Sequence, residues 1–242
     1  GVESGNLDDW RRILHHAKRR NNPFANAVAA YCYSSPDIFL VTRNLSAAKV
    51  CAKAALPYLQ QQQQQNYGCR LAMFYLGYFH DFYLIEDSCS IKDAVANYSV
   101  SAHLGYARAY YYLGNCYLRG NGVERNGAEA VRLFLLAAQQ GLASAQFGVG
   151  VCYSEGAGVK CDMIEAAHWY ERAAAQNHAP ALYDLGICYK HGEGVQKDTA
   201  KAAELIRRAD EKGSAEAKVQ RHPRSTAIDM MSDVKFHQTL KL

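Results

Sequence analysis

The sequence predicts an all-α protein, an α/α superhelix, or solenoid, built from stacked helix pairs. Two observations support this prediction. A set of residues recurs every 36 positions, as Gly114, Gly150 and Gly186 do, and each copy contains two segments with the apolar spacing of an amphipathic helix. Since one helix pair cannot bury its own apolar face, neighbouring pairs are expected to stack into a continuous core.

The first helix of each repeat carries apolar residues at steps of three and four, as in Ala109, Leu113 and Tyr117, which form one apolar stripe. A Gly-x-Gly turn follows at 120–122 and recurs in the next two repeats. Glycines before a helix can hold a phosphate, but nucleotide sites of that kind need a preceding strand or a Gly-Lys-Ser/Thr sequence. A helix precedes here, so the turn is predicted to end that helix, and no cofactor is expected.

The second helix is predicted to begin after Asn126, Asp162 or Asp198, which are residue types that cap helix N-termini. Glu129 and Glu165 stand three residues after the first two caps, where an acidic side chain can return a hydrogen bond to the backbone of the cap.

The same register divides the whole chain. We expect fainter copies before residue 105 and a different segment after residue 213. The predicted segments are an N-terminal helix of a truncated or capping repeat at 1–21, a degenerate repeat with a Gln tract at 22–67, a repeat with one inserted residue at 68–104, repeats at 105–140, 141–176 and 177–213, and a C-terminal capping helix or tail at 214–242. Because the chain begins with Gly instead of Met, we expect it to be a piece of a longer protein, which is then a possible partner of these repeats.

These repeats resemble the Sel1-like repeat family. The residues that fit its pattern include Ala145, Gly150, Tyr153, Gly156, Gly158, Val159, Asp162, Ala166, Trp169, Tyr170, Ala173 and Ala174. The resemblance implies a right-handed α/α superhelix like that of tetratricopeptide repeats, used mainly as a protein-binding scaffold. The leading hypothesis is therefore a non-enzymatic scaffold or adaptor that binds another protein, or a peptide segment, on a concave face. Two alternatives stay open: a regulatory or substrate-recruiting arm of a larger enzyme, such as a kinase or a chitin synthase regulator, and a β-lactamase-like enzyme, as attributed to cysteine-rich bacterial members.

By analogy with tetratricopeptide arrays, first-helix positions that face away from the neighbouring repeat are expected to line the binding groove. We call these positions the first-helix row; they are Phe74, Tyr78, Tyr111, Asn115, Leu118, Phe147, Val151, Ser154, Tyr183, Ile187 and Lys190. Large apolar side chains with scattered polar groups suit an extended or helical segment held by a few anchors. The aromatic rings could instead pack between repeats, and the variable positions Asn115, Ser154 and Lys190 are the expected determinants of specificity.

Apolar strings at 38–41 and 82–85 replace the Gly-x-Gly turn in the two early repeats. Equivalent turns lie side by side on one edge of a solenoid, so Phe39, Leu40, Phe82 and Tyr83 could form an exposed apolar patch. Such a patch often marks an interface. The strings could equally pack on each other or on another part of the protein.

Composition argues against several other classes of function. A net charge of +4 is too small to predict nucleic-acid binding, and no apolar run is long enough to predict a membrane span. Eight cysteines include no Cys-x-x-Cys, and nine histidines include no His-Glu-x-x-His, so no metal site or catalytic centre is predicted. The cysteine-rich bacterial relatives pair cysteines at a spacing that this sequence lacks, and reduced cysteines favour a cytoplasmic protein.

Overall fold

The computed structural model describes residues 23–34, 45–64, 69–82, 84 and 90–212. In these ranges the chain forms ten α-helices and no strand, which confirms the all-α prediction. The helices are α1 (Pro23–Ser34), α2 (Leu45–Gln64), α3 (Arg70–Asp81), α4 (Ile91–His103), α5 (Ala107–Arg119), α6 (Gly127–Gln139), α7 (Ala143–Glu155), α8 (Met163–Ala175), α9 (Ala179–His191) and α10 (Thr199–Glu211). Odd-numbered helices are the first helices of their repeats, and even-numbered helices are the second. The predicted segments at 1–21 and 214–242 lie outside the described residues.

The second helices begin at the predicted caps. Asn126 accepts a hydrogen bond from the backbone N–H of Glu129 at 3.0 Å, and Asp162 and Asp198 each accept two from the first turn of their helices. The carboxylate of Glu129, however, does not return to the cap backbone, because it accepts two hydrogen bonds from Arg132 at 2.6 and 2.8 Å. The predicted start of these helices is confirmed, while the reciprocal bond from Glu129 is replaced by an exposed ion pair.

The two glycines of each turn have different tasks. Gly156 ends α7 in the left-handed conformation, with φ 70°, and a side chain there would make only ordinary van der Waals contacts. A Cβ on Gly158 would instead overlap the backbone of Gly127, the first residue of α6. A Cβ on Gly194 would likewise overlap the carbonyl oxygen of Met163, the first residue of α8. In these two turns, the second glycine therefore lets the turn touch the second helix of the preceding repeat.

Within a repeat, the two helices meet where a glycine of the first lies under a large side chain of the second. A Cβ added to any of these glycines would come within 2.6 to 2.8 Å of that side chain, so only glycine allows the close approach. The pairs are Gly77 with Tyr98, Gly114 with Phe134, Gly150 with Tyr170 and Gly186 with Ile206.

The chain separates into two compact bodies, Gly1–Ala109 and Tyr110–Leu242, with the boundary inside α5. The core of the first body contains a cluster of aromatic rings in which Tyr31 contacts Phe74, Tyr75 and Tyr78. The core of the second body consists of small, aliphatic and aromatic side chains from α5 to α10 in two clusters, one of which contains Phe134 and the other Tyr170.

Candidate functional site

In the first body, the predicted row residues are part of the core. Phe74 and Tyr78 have 0% of their surface exposed. The ring of Phe74 lies 5.1 Å from that of Tyr106, and the ring of Tyr78 lies 4.8 Å from that of Tyr31. Neither side chain has surface to offer to a partner, because the neighbouring rings already cover it.

In the second body, four large members of the row are also buried. Leu118, Phe147, Val151 and Tyr183 each expose 7% of their surface or less. The ring of Phe147 packs 5.7 Å from that of Tyr170 in its own repeat and 5.2 Å from that of His178, which precedes α9, so it takes the role of packing between repeats that the sequence left as an alternative. These side chains hold repeats together and leave the accessible surface to other members of the row.

The accessible members of the row are Tyr111, Asn115, Ser154 and Ile187, which are half-buried, and Lys190, which is exposed. The side-chain carbonyl oxygen of Asn115 is buried and has no hydrogen-bond partner in the described part of the protein. Ile187 packs with one face against the core cluster of the last repeat. These residues all lie in the second body, on α5, α7 and α9.

Ser154 has a structural partner that the sequence analysis missed. Its hydroxyl lies 3.0 Å from the hydroxyl of Tyr170, and burial raises the pKa of that tyrosine well above its ordinary value. At the equivalent place in the first body, the hydroxyl of Tyr98 donates to the carboxylate of Asp81 at 3.1 Å. The sequence contains a signal for this hydrogen bond: the two repeats with a polar first-helix residue here, Asp81 or Ser154, have a tyrosine at the partner position of the second helix.

The predicted turn patch is only partly within the described residues. Phe82 exposes 7% of its surface and stacks on Tyr78 with ring centroids 4.2 Å apart. Leu84 is also buried, and its backbone N–H donates to the carbonyl of Phe79 at 3.0 Å. Phe82 therefore packs inward instead of forming an exposed patch, because its ring stacks on the ring of Tyr78. Phe39, Leu40 and Tyr83 lie outside the described residues.

Among the described cysteines, Cys69, Cys152, Cys161 and Cys188 are free thiols. Cys116, Cys152 and Cys188, the equivalent positions of three repeats, are buried, and burial raises the pKa of Cys152 and of Cys188 to about 12. Such thiols remain protonated and unreactive at neutral pH. Among the described residues, no group of three or more His, Cys, Asp or Glu side chains could hold a metal ion.

The helices of the described ranges are all too short or too polar to cross a membrane. Comparison with solved structures finds similar chains among bacterial repeat proteins. A protective antigen present in uropathogenic Escherichia coli strains, which displays an SLR fold, is 28% identical over 89% of this chain, with a TM-score of 0.61. The match covers 43% of that antigen, so this chain spans less than half of its length.

A Sel1 repeat protein from Oxalobacter formigenes is 24% identical over 88% of this chain and 86% of its own, with a TM-score of 0.64. Together these likenesses confirm the predicted solenoid of helix pairs. A comparison with curated proteins finds no match.

The family model that describes the Sel1 repeat matches residues 70–87, 107–142, 143–178 and 179–214. These four segments hold 126 of the 242 residues. The last three segments coincide with the helix pairs α5–α6, α7–α8 and α9–α10, and the first segment contains α3. The chain belongs to the Sel1 repeat family.

Proposed function

We propose that this protein is a non-enzymatic scaffold or adaptor that binds a segment of another protein along the accessible part of the first-helix row. Sel1 repeats generally mediate contacts between proteins. The observation that carries the proposal is that Tyr111, Asn115, Ile187 and Lys190 keep exposed surface while the large side chains between them are buried. The row thus offers polar and apolar groups on a rigid support, as peptide-binding surfaces do.

The chemistry of these residues describes the segment that would fit. A buried carbonyl oxygen without a donor costs about 1 to 3 kcal/mol, so a backbone N–H from a bound segment would relieve Asn115 once its amide rotates outward. Ile187 offers a half-buried apolar contact, and Lys190 places an exposed ammonium group one helical turn further along α9. The proposed segment is extended, with an apolar side chain followed by an acidic one.

A selection from a random displayed peptide library on the full chain tests this proposal. We expect selected peptides to contain an apolar and an acidic residue, and to bind Lys190→Glu and Ile187→Asp at least about tenfold more weakly, which is about 1.4 kcal/mol. Lys160→Glu is the matched control, since Lys160 is equally exposed but follows the turn instead of lying on the row. Peptides whose affinity is unchanged by both row variants, with circular dichroism showing intact helices, would contradict the proposal.

We also propose that the protein acts in the cytoplasm. The support is chemical: Cys152 and Cys188 are free thiols in the core of the second body, as suits a reducing compartment. Fractionation of cells that express the intact parent protein tests this, and recovery with the secreted proteins would contradict it.

A further inference from the structure

A histidine occupies the junction between α8 and α9, where the preceding repeats place apolar or aromatic residues. His178 is equivalent to Leu142 and Tyr106, each 36 residues apart. Tyr106 is buried, and Leu142 packs against the core of its repeat. The imidazole of His178 likewise packs on an apolar neighbour, with its ring centroid 5.2 Å from that of Phe147 on α7.

The backbone and the ring of His178 join two repeats. Its N–H donates to the carbonyl of Ala173 on α8 at 3.2 Å, while its Nδ1 accepts from the N–H of Ala181 at 3.4 Å and so caps α9. Because Nδ1 accepts, the neutral ring carries its proton on Nε2. A second proton, on Nδ1, would point at the Ala181 N–H and remove the cap.

Around the half-buried His178, the described residues place no group that would stabilise a positive charge on its ring. Burial alone lowers the pKa of His178 to about 4, so among the described residues no carboxylate on α7, α8, α9 or α10 acts on it. The polar contacts beside it are neutral or cationic. Gln176 donates to Gln146 at 2.8 Å, and the guanidinium of Arg208 on α10 donates to Asn177 at 3.2 Å.

We propose that the α8–α9 junction is an acid-sensitive joint, at which protonation of His178 releases the α9–α10 pair from α7 and α8. The released ring gains water and loses both its cap and its contact with Phe147. Because the folded pKa lies below the ordinary value of 6.5, the contribution to stability is complete above about pH 6.5 and is lost as the pH falls toward 4. If the proposed function holds, the same event would displace Ile187 and Lys190 on α9 and release the partner.

Hydrogen exchange of the full chain, read by mass spectrometry and corrected for intrinsic rates, tests the joint without any partner. The pKa of His178 is about 4 in the folded protein and 6.5 when the ring is released. From about pH 7.5 to about pH 5, these two values predict an increase of about 30-fold in the equilibrium constant for the opening of α9 and α10. Peptides from α5 and α6 are the internal reference. His178→Leu introduces the residue found at the equivalent position 142. In this variant, we expect the acid-induced increase in opening to be the same for α9 and α10 as for α5 and α6.

His168→Leu is the matched control, because His168 lies on α8 but is exposed, and it is expected to behave as the unaltered protein does. An acid-induced opening of α9 and α10 that persists in His178→Leu overturns the proposal. So does the absence of any excess opening in the unaltered protein. A titration of the His178 ring by NMR in the unaltered chain provides a readout that does not depend on a variant: an inflection below about pH 5 supports the joint, and one near 6.5 overturns it.

Discussion

The second glycine of the helix-ending turn provides a test of how repeats are spaced. Gly158→Ala introduces a Cβ that would overlap the backbone of Gly127, whereas Gly156→Ala introduces one whose closest contact is the Cβ of Cys161 at 3.5 Å. Both glycines have a left-handed backbone, with φ 82° at Gly158 and 70° at Gly156. The two variants therefore share the backbone cost and differ in the close approach to the preceding repeat.

The magnitudes follow from these contacts. The left-handed backbone costs an alanine about 1 to 2 kcal/mol, and forcing an extra methyl group into packed structure adds about 1 to 3 kcal/mol. We expect Gly158→Ala to lower the free energy of unfolding by that additional amount relative to Gly156→Ala. In a chain of this size, each kcal/mol corresponds to about 2 to 4 °C in Tm. Urea titration followed by circular dichroism measures the difference directly, and equal midpoints for the two variants would refute the proposed role of the second glycine.

Two further predictions concern side chains inside the second body. Tyr170→Phe removes a buried hydrogen bond to Ser154 and should lower the free energy of unfolding by about 0.5 to 1.5 kcal/mol. Ser154→Ala should cost less in the Tyr170→Phe background than it does alone. Additive losses in this double-mutant cycle would contradict the pairing. In the folded protein, iodoacetamide should label Cys161, which is exposed, well before Cys152 and Cys188, whose pKa values burial raises to about 12. Peptide mapping measures the three rates, and similar rates would show that the core admits the reagent.

The features that sequence predicted correctly are mainly local. Asn126, Asp162 and Asp198 cap the helices that follow them, because a cap needs only a suitable side chain and the next three backbone N–H groups. The positions of the first-helix row are harder to assign. Whether a residue such as Val151 faces a groove or the next helix depends on the rotation between successive repeats, and the 36-residue spacing does not specify that rotation.

The altered turn of the 68–104 repeat shows which of the two alternatives left open by the sequence Phe82 adopts. A Gly-x-Gly turn leaves no side chain to bury, so an apolar string in its place suggests an exposed surface. In the structure, Phe82 lies on Tyr78, which occupies the place of the polar Asn115 in the following repeat. Two substitutions that look independent in sequence are therefore compensating, and only the ring contact reveals it.

The same kind of comparison between repeats bears on Lys190, the charged member of the proposed binding row. One position of the first helix and one of the second form an equivalent pair in each of the four repeats from 68 to 213, and in three of these pairs the two residues match in polarity. The four pairs are Asp81 with Tyr98, Leu118 with Phe134, Ser154 with Tyr170, and Lys190 with Ile206. A ring hydroxyl meets a polar partner in the first and third pairs, at 3.1 and 3.0 Å, and both members of the second are apolar.

The last pair departs from this rule. Ile206 has no hydroxyl and no ring, so it has no polar group that could bind the ammonium group of Lys190. Lys190 is exposed, whereas the equivalent Leu118 is buried and Ser154 is half-buried. Burying an unpaired ammonium would cost several kcal/mol, which explains why Lys190 extends into solvent. The repeat that lacks the internal pairing thus presents a charged group at a position that the other repeats use for packing, and for this reason Lys190→Glu is the most informative variant for partner binding.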